Sequence, residues 1–328
     1  MAEKKEKILV TGGAGYIGSH CCKNLYLNGY LPICLDNFSK GNRYAVQWGP
    51  LVEGDISDKN YLKEIFSKNK ISGVMHFAAD SLVGESFIDP VKYYSNNVKG
   101  TLHLLEIMQQ FGVKNFIFSS SCATYGEPKE IPITEDHPQH PISPYGRTKF
   151  MIEAMLKDFS LAYGMRFISL RYFNAAGADL NGDIGEDHAN ETHLLPLIIF
   201  AAQGKIPQIK VFGKDFPTKD GTAIRDYIHV VDLAQAHMLA LNYLQKHKKS
   251  HFINLGTGTG YSVLEIIQGV EKFIGKKIPY AFSKKREGDP PILMSNSILA
   301  KKILKWEPKF SSIETIIESA WLWHEKNK

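Results

Sequence analysis

The sequence predicts an α/β chain: a doubly wound parallel sheet followed by a smaller C-terminal lobe. Three observations predict it. Apolar strands and helical patterns alternate through the first half, as βαβ units do. A glycine-rich turn, Thr11-Gly-Gly-Ala-Gly-Tyr-Ile-Gly-Ser-His20, joins the first strand to the first helix. After Ala175 the alternation is lost, and Gly, Asp and Asn become frequent.

Ile8-Leu9-Val10 reads as the first strand and Cys21–Tyr30 as the helix after the turn. Gly13, Gly15 and Gly18 match G-x-G-x-x-G, and Gly12 adds a G-x-x-G-x-x-G reading of the same loop. Glycine lets backbone N–H groups approach a pyrophosphate, with the helix N-terminus facing the charge. Leu31–Leu35 is the second strand and delivers Asp36. A carboxylate there binds both adenosine ribose hydroxyls and repels a 2′-phosphate, so NAD is expected rather than NADP. Leu51–Gly54 is the third strand, ending in Asp55-Ile56, where an acid reaches the adenine amino group. A helix covers Lys59–Lys68. Gly73–Ala79 is uniformly apolar, as a buried parallel strand should be. Pro90–Gly112 reads as one long helix carrying Asn96 and Asn97. Asn115–Ser121 is the fifth strand and runs into three serines. A Pro-rich loop, Glu127–Pro144, precedes a helix from Tyr145 to Tyr163, with Gly164 as its stop. Arg166–Phe173 is the sixth strand, and ligand is expected at the C-terminal strand ends.

In the second half, Leu194–Gln203 is an apolar helix and Asp226–Leu244 a helix-like segment. His251–Leu255 is expected to return to the sheet, and Tyr261–Gly275 and Ser312–Lys326 read as helices. The expected division is residues 1-174 with 226-258 as a nucleotide-binding domain. Residues 175-225 and 259-328 form the lobe that closes over it.

A chain of 328 residues with 44% hydrophobic content can bury a full core. The net charge of +5 is scattered in clusters such as Lys246-His247-Lys248-Lys249, which suits a solvated helix end better than a nucleic-acid surface. The four cysteines, Cys21, Cys22, Cys34 and Cys122, form no C-x-x-C pair. That suits a reduced, cytoplasmic protein and offers no metal site. Met1–Lys7 is polar and does not read as a signal peptide. The longest apolar run, Leu194–Ala202, is too short to span a bilayer. No nucleic acid, membrane or metal is expected as a partner.

Hydride transfer between an alcohol and a carbonyl needs a group to take the alcohol proton. Three Y-x-x-x-K matches compete for that role. Pro128 separates Tyr125 from Lys129, and Tyr280 to Lys284 carries no helix signal. Tyr145 and Lys149 open an amphipathic helix, with Ser143 as N-cap and Pro144 in the first turn. Side chains four apart then share one face. A tyrosine pKa of about 10 must fall by roughly three units for base catalysis near neutral pH. Lys149 and a positive nicotinamide ring are the expected sources of that charge. Ser121, nearest the strand's C-terminal end, is expected to position the sugar oxygen in preference to Ser119 or Ser120.

With these residues in hand, the chain resembles the extended short-chain dehydrogenase/reductase family, whose nucleotide domain is a Rossmann fold. Within that family it is most similar to the 4-epimerases of UDP-hexoses. The likeness rests on the glycine loop and on His76-Phe-Ala-Ala79, Phe118-Ser-Ser-Ser121, Tyr125-Gly126 and Ser143-Pro-Tyr-Gly146. It extends through Arg171-Tyr-Phe-Asn174, Gly185-Glu-Asp187, Arg225-Asp-Tyr-Ile-His-Val230 and Arg286-Glu-Gly-Asp289. The resemblance implies that Tyr145 takes the sugar 4-hydroxyl proton while C4 gives hydride to NAD. A 4-keto sugar then turns over in the site and is reduced on its other face, so NAD is regenerated in place. UDP-galactose and UDP-glucose are the implied pair, with UDP-N-acetylglucosamine and UDP-N-acetylgalactosamine as a side activity.

The resemblance also implies cofactor contacts. These come from Gly12, Gly15, Tyr16, Ile17 and Gly18, from Asp36, Asn37, Asp55 and Ile56, from Phe77, Ala78 and Ala79, and from Asn96, Lys149 and Phe173. Asn174, His193, Leu194, Phe212, Arg225, Arg286, Asp289 and Leu293 are implied to hold the UDP-sugar beside Ser121 and Tyr145. A guanidinium fork matches diphosphate oxygens, which suits the two arginines. A homodimer through helices 90–112 and 145–163 is implied as well. Ser81, His193 and Leu293 depart from the best-known pattern, where a lysine, an asparagine and a bulky aromatic stand. Two other readings compete: a nucleotide-sugar dehydratase or decarboxylase on the same fold, and a non-enzymatic NAD sensor. Cys122-Ala123 occupies the place where dehydratases carry carboxylates. A sensor has no need of Tyr145, Lys149 and Ser121 together.

Overall fold

Seven parallel strands build the central layer of the structure, a computed structural model that describes residues 5–286 and 288–327. Residues 1–4, Glu287 of the Arg286–Asp289 motif and Lys328 lie outside the described residues. The strands are β1 (Lys7–Thr11), β2 (Leu31–Asp36), β3 (Leu51–Glu53), β4 (Ile71–His76), β5 (Asn115–Ser121), β6 (Arg166–Tyr172), β7 (Asn174–Ala176), β8 (Ile209–Phe212), β9 (Ile224–His229), β10 (His251–Leu255), β11 (Gly260–Ser262), β12 (Tyr280–Ser283) and β13 (Ile292–Leu293). The large sheet has the order β3-β2-β1-β4-β5-β6-β10. The order reverses between β1 and β4, which opens a crevice at their C-terminal ends.

The helices are α1 (Tyr16–Leu27), α2 (Lys59–Lys68), α3 (Val83–Ile88), α4 (Pro90–Tyr93), α5 (Gly100–Gln110), α6 (Pro144–Tyr163), α7 (Leu194–Ala202), α8 (Val230–His247), α9 (Val263–Ile274), α10 (Ile298–Leu304) and α11 (Ile313–Lys326). Alternate residues of β1 feed opposite faces of the sheet. Ile8 and Val10 join one core with α1, α8 and α10, while Leu9 joins another with α2, α5 and α6. Both faces are therefore covered, as an all-parallel sheet requires.

A smaller lobe holds β7, β11 and β13 around β9, the β8–β12 pair, and α7, α9 and α11 over their own apolar core. The chain passes from the large sheet to the small one through Phe173 alone, between β6 and β7. It passes back across the bond between His229 of β9 and Val230 of α8. Both Phe173 and His229 are buried. Among the described residues, no helix is long and apolar enough to cross a membrane.

Four segments differ from the sequence expectation. The first helix starts at Tyr16, not Cys21. Gly15 serves as its N-cap, and Gly18 lies inside it because a Cβ there would stand 2.1 Å from the Gly12 carbonyl oxygen. The Pro90–Gly112 helix is interrupted by a π-helical stretch, Tyr94–Lys99. Such a bulge re-aims side chains within a helix. Here Asn97 is buried, accepts from the Asp80 backbone N–H at 2.8 Å, and donates to the Asp80 carbonyl and to Thr148 Oγ1. Residues 224–229, expected to open a helix at Asp226, form β9. The buried Asp226 carboxylate accepts from the backbone N–H groups of Thr257, Gly258 and Ser295, a staple between segments that a helix would not make. The helix expected from Tyr261 begins at Val263, after a Ser262–Glu265 capping box, and ends at Gly275 as expected. By contrast, Ser143 caps α6 through the Gly146 N–H and left-handed Gly164 closes it, as the sequence predicts.

Candidate active site

The C-terminal ends of β1, β2, β4, β5 and β6 open into one cleft of about 1190 Å³, closed on its far side by the smaller lobe. The nucleotide end is built from backbone. Gly12 sits at φ +69°, where a Cβ would press to 2.7 Å from the Ala78 nitrogen. That close packing demands glycine whatever binds. Gly15 is different. A Cβ there would meet only the Gly12 oxygen, at 3.3 Å, so it would project into the cleft. A side-chain-free N-cap on α1, facing open space, fits a pyrophosphate.

Asp36 ends β2 with its carboxylate held in place. Oδ2 accepts from the Ala14 N–H at 2.9 Å and Oδ1 from the Phe38 N–H at 2.8 Å. Burial raises its pKa against those two bonds. Asn37 donates to Asp55 Oδ2 at 2.6 Å, and the Ser57 N–H donates to Oδ1, joining the ends of β2 and β3. Tyr16, Ile17, Ile56, Phe77, Ala78, Ala79, Asn96 and Phe173 all line the same cleft. Asn96 donates to Asp80 at 3.0 Å, so the π stretch presents Asn96 to the cleft while Asn97 locks it. These residues fit NAD. Replacing Asp36 with Ala should cost NAD about one charge-assisted hydrogen bond net, ~1.5–3 kcal/mol. NAD binding should weaken by about 10- to 100-fold and the preference over NADP should narrow, as read by titration of both nucleotides. A wild type that uses NADP as well as NAD would overturn this reading of Asp36.

At the reaction end, Tyr145 and Lys149 lie one turn apart on α6 and both face the cleft. Ser121 sits opposite on β5. Ser119 instead pairs with the Tyr172 hydroxyl, and Ser120 donates to Glu153, so Ser121 is the serine left for a ligand. Lys149 Nζ donates to the Ser119 carbonyl at 2.8 Å and stands 5.8 Å from the Tyr145 ring centre. Burial dominates the electrostatics. It pushes Tyr145 up to about 12, with the Ser121 hydroxyl opposing by hydrogen bonding. It brings Lys149 down to about 7, with Glu153 opposing. For the chain by itself, burial outweighs the charge expected from Lys149, and a cation brought into the cleft would add to that charge. Cys122 lines the cleft as well, but burial pushes its thiol up to about 12, so it is no base for an elimination.

The sugar-nucleotide end belongs to the smaller lobe. Arg286 lies with its guanidinium 3.9 Å above the Phe212 ring centre, and burial lowers its pKa. Arg225 is ion-paired with Asp289 and donates to the Ile224 carbonyl at 2.7 Å. Asn174, His193 and Leu293 line the cleft with these charged groups. Leu194 and Phe212 are not in its described wall, contrary to expectation. Leu194 opens α7 and packs on the small-lobe core, and Phe212 spends its ring face on Arg286. His193 does not present a free imidazole, since Glu186 and Glu191 flank it at 2.7 and 3.1 Å. Sequence reading missed Glu186, His188 and Glu191. The alternation Glu186-x-His188-x-x-Glu191-x-His193 was the available signal, hidden in a stretch read as irregular. Tyr125, the rejected match, is fully buried. Its hydroxyl donates to Asn254 at 2.6 Å and accepts from Arg171 at 2.9 Å.

Comparison with known proteins agrees with this geometry. Residues 8–256 match the family described as "NAD dependent epimerase/dehydratase family". A UDP-glucose 4-epimerase of Rhizobium leguminosarum bv. trifolii is 51% identical over 322 residues, covering 98% of both chains. The crystal structure of UDP-glucose 4-epimerase from Brucella ovis in complex with NAD superposes with a TM-score of 0.94 at 49% identity, over 97% of this chain and 98% of that one. The Bifidobacterium longum UDP-glucose 4-epimerase with NAD+ and UDP gives 0.94 at 39% identity, over 98% of each chain.

Proposed function

The chain belongs to the NAD dependent epimerase/dehydratase family, and on that premise we propose that it interconverts UDP-galactose and UDP-glucose. NAD, when bound, would supply a reversible hydride acceptor for C4 of the hexose, so the net reaction would be an isomerisation. The chain's own residues do the rest. Gly12, Gly15 and the first turn of α1 hold the pyrophosphate, and Asp36 holds the adenosine ribose. Tyr145 takes the 4-hydroxyl proton and later gives it back, while Ser121 orients the same oxygen. A positively charged nicotinamide beside Tyr145 would oppose the burial that pushes its pKa up. Arg225 and Arg286 clamp the UDP diphosphate. The convergence of Tyr145, Lys149 and Ser121 at the mouth of a nucleotide cleft carries this reading.

Incubation with UDP-galactose and no added NAD tests it. UDP-glucose should form over many turnovers by NAD that co-purifies. A requirement for stoichiometric NAD would point to a dehydrogenase, a product that has lost water to a dehydratase, and no turnover of this carboxylate-free sugar to a decarboxylase or a sensor.

Substrate breadth follows from one wall. Leu293 is nearly buried among Cys122, Tyr125, Ile133 and Phe173, and its remaining surface faces the cleft. A tyrosine there cannot fit inward, because overpacking a dense core is costly. It must fill the cleft instead. Wild type should act mainly on the simple hexoses, with measurable N-acetylhexosamine turnover. Leu293→Tyr should suppress the N-acetyl activity selectively by ~1–3 kcal/mol, the scale of a misfit group in a pocket. Specificity constants for both sugars, before and after substitution, decide it, and an unchanged ratio would remove Leu293 as the gate.

We further infer a homodimer in the cytoplasm. Val91, Leu102, Phe150, Met151 and Leu161 leave apolar surface exposed along the segments 90–110 and 144–163. All four cysteines are free and buried, in keeping with a reducing compartment. Light scattering at the mass of one 36.9 kDa chain would exclude the dimer. The division at 1-174 with 226-258 is kept as a proposal with two adjustments: residues 224–229 pair in the small sheet, with the return to the large one beginning at Val230, and α10 packs on the large-sheet core although it lies within 259-328.

A further inference from the structure

Between Gly185 and α7 the chain gathers two carboxylates and two imidazoles at one point. Glu186, His188, Glu191 and His193 each offer one ligand atom, and the four atoms lie within 4.8 Å of one another. His188 Nδ1 stands 3.6 Å from Glu186 Oε1 and 3.2 Å from Glu191 Oε2. His193 Nδ1 stands 2.7 Å from Glu186 Oε1 and 3.1 Å from Glu191 Oε1. Four ligands about 2.0–2.1 Å from a zinc ion at the corners of a tetrahedron are about 3.3 Å apart. The four nitrogen–oxygen separations, which involve both Glu191 oxygens, lie on either side of that value.

A second observation separates this cluster from ordinary ion pairing. Glu186 is 4% exposed, yet its Oε1 atom accepts no hydrogen bond among the described residues. His193 Nδ1 is within reach at 2.7 Å, but its N–H direction does not serve that oxygen. Both imidazole Nδ1 atoms also lie within hydrogen-bond reach of Glu191, so a cation bound here would replace the protons they share with the carboxylates. The ligand atoms are also held from behind. Both oxygens of Glu191 face the imidazoles, and Oε1 accepts from the Thr192 and His193 N–H groups at 2.7 and 2.8 Å. The Glu186 carbonyl accepts from Trp323 Nε1 at 3.1 Å. Support of this kind orients ligands for metal.

We propose that Glu186, His188, Glu191 and His193 form a zinc site in which the protein supplies all four ligands. Imidazole and carboxylate donors in a four-coordinate set suit Zn2+ better than Mg2+ or Ca2+, which take six or more oxygens. Two carboxylates and two neutral imidazoles cancel the ion's charge. With no open position the site is structural and not catalytic. Its place in the fold gives it a role. Asp187, between two of the ligands, is tied to Asn42 and Tyr44 of the nucleotide domain, and His193 is the N-cap of α7 in the smaller lobe. The ion would pin the cleft wall formed by residues 188–193 to both bodies. The inference does not depend on which sugar the enzyme uses.

The test uses untagged full-length protein with its co-purified nucleotide, treated with a chelator and desalted. Titration with Zn2+ and elemental analysis should give one ion per chain, and the melting temperature should rise with Zn2+. His188→Gln and Glu191→Gln should each abolish both responses while retaining bound nucleotide and the far-ultraviolet circular dichroism of the wild type. If neither variant folds, Co2+ on wild type decides. Four-coordinate cobalt gives strong visible bands and six-coordinate cobalt weak ones. No stoichiometric uptake of Zn2+ by wild type, equal uptake by the variants, or a weak six-coordinate Co2+ spectrum would each overturn the assignment.

Discussion

Tyr145→Phe should lower turnover by ~10²-fold or more, the usual loss when a general acid–base is removed, with UDP-sugar binding retained. The substitution removes one oxygen from a side chain whose ring is held by the capped start of α6 and by an edge contact with Tyr93, so the fold should survive. Tyr125→Phe is the control. Its hydroxyl lies in a buried network with Asn254 and Arg171, outside the cleft wall. Its loss should cost ~1–3 kcal/mol of stability, because two buried partners are left short, with far less effect on turnover. Denaturant midpoints and initial rates for the two variants should therefore rank in opposite order. Equal rates would mean that the proton goes to another group.

The second large effect is expected at Arg171, and in stability. Its guanidinium meets the Glu153 carboxylate through Nε at 2.9 Å and Nη2 at 2.7 Å, with both residues about 2% exposed. Ser120 and Ser169 donate to the same carboxylate. Breaking a buried pair from one side strands the other charge and costs ~3–5 kcal/mol. Arg171→Met should unfold at correspondingly lower denaturant. Adding Glu153→Gln should recover part of the loss, since the double variant carries no orphaned charge. A double variant no more stable than the single would show that Ser120, Ser169 and Gln139 satisfy Glu153 without the arginine.

Much of this was readable from residues alone, because the signals were local. The glycine turn, Asp36 at a strand end, and a Ser143-capped helix with Tyr145 and Lys149 one turn apart each combine a spacing with a geometry. β1, β2, α2, β5 and α6 were placed to within one or two residues for the same reason. What failed was long-range. Asp226 looks like a helix start until Thr257, Gly258 and Ser295 are brought to it from elsewhere in the chain. The π stretch at Tyr94–Lys99 has no pattern of its own; Asp80 and Thr148 hold Asn97 in place. The burial that opposes charge on Tyr145 and Lys149 was not legible, because sequence shows which charges are neighbours but not how deeply they are buried. Arg286 and Phe212 were both implicated, but only the structure shows that the ring serves the arginine.

The three places where backbone crosses between the sheets have a dynamic consequence. A hinge needs a few residues free to absorb large φ/ψ changes. Here one crossing is the single buried residue Phe173, the second is the peptide bond between a strand and a helix, and the third, residues 256–259 between β10 and β11, is held by the Thr257 and Gly258 N–H groups on the Asp226 carboxylate. The lobes cannot swing apart without tearing β7 or β9 from its partners. Admission and escape of substrate then fall to the loops at the rim, whose excursions take nanoseconds to microseconds, and not to slow rigid-body opening. An enzyme built this way keeps its reaction chamber at nearly constant dimensions through the cycle, and a sugar that is to present both faces must do the moving itself.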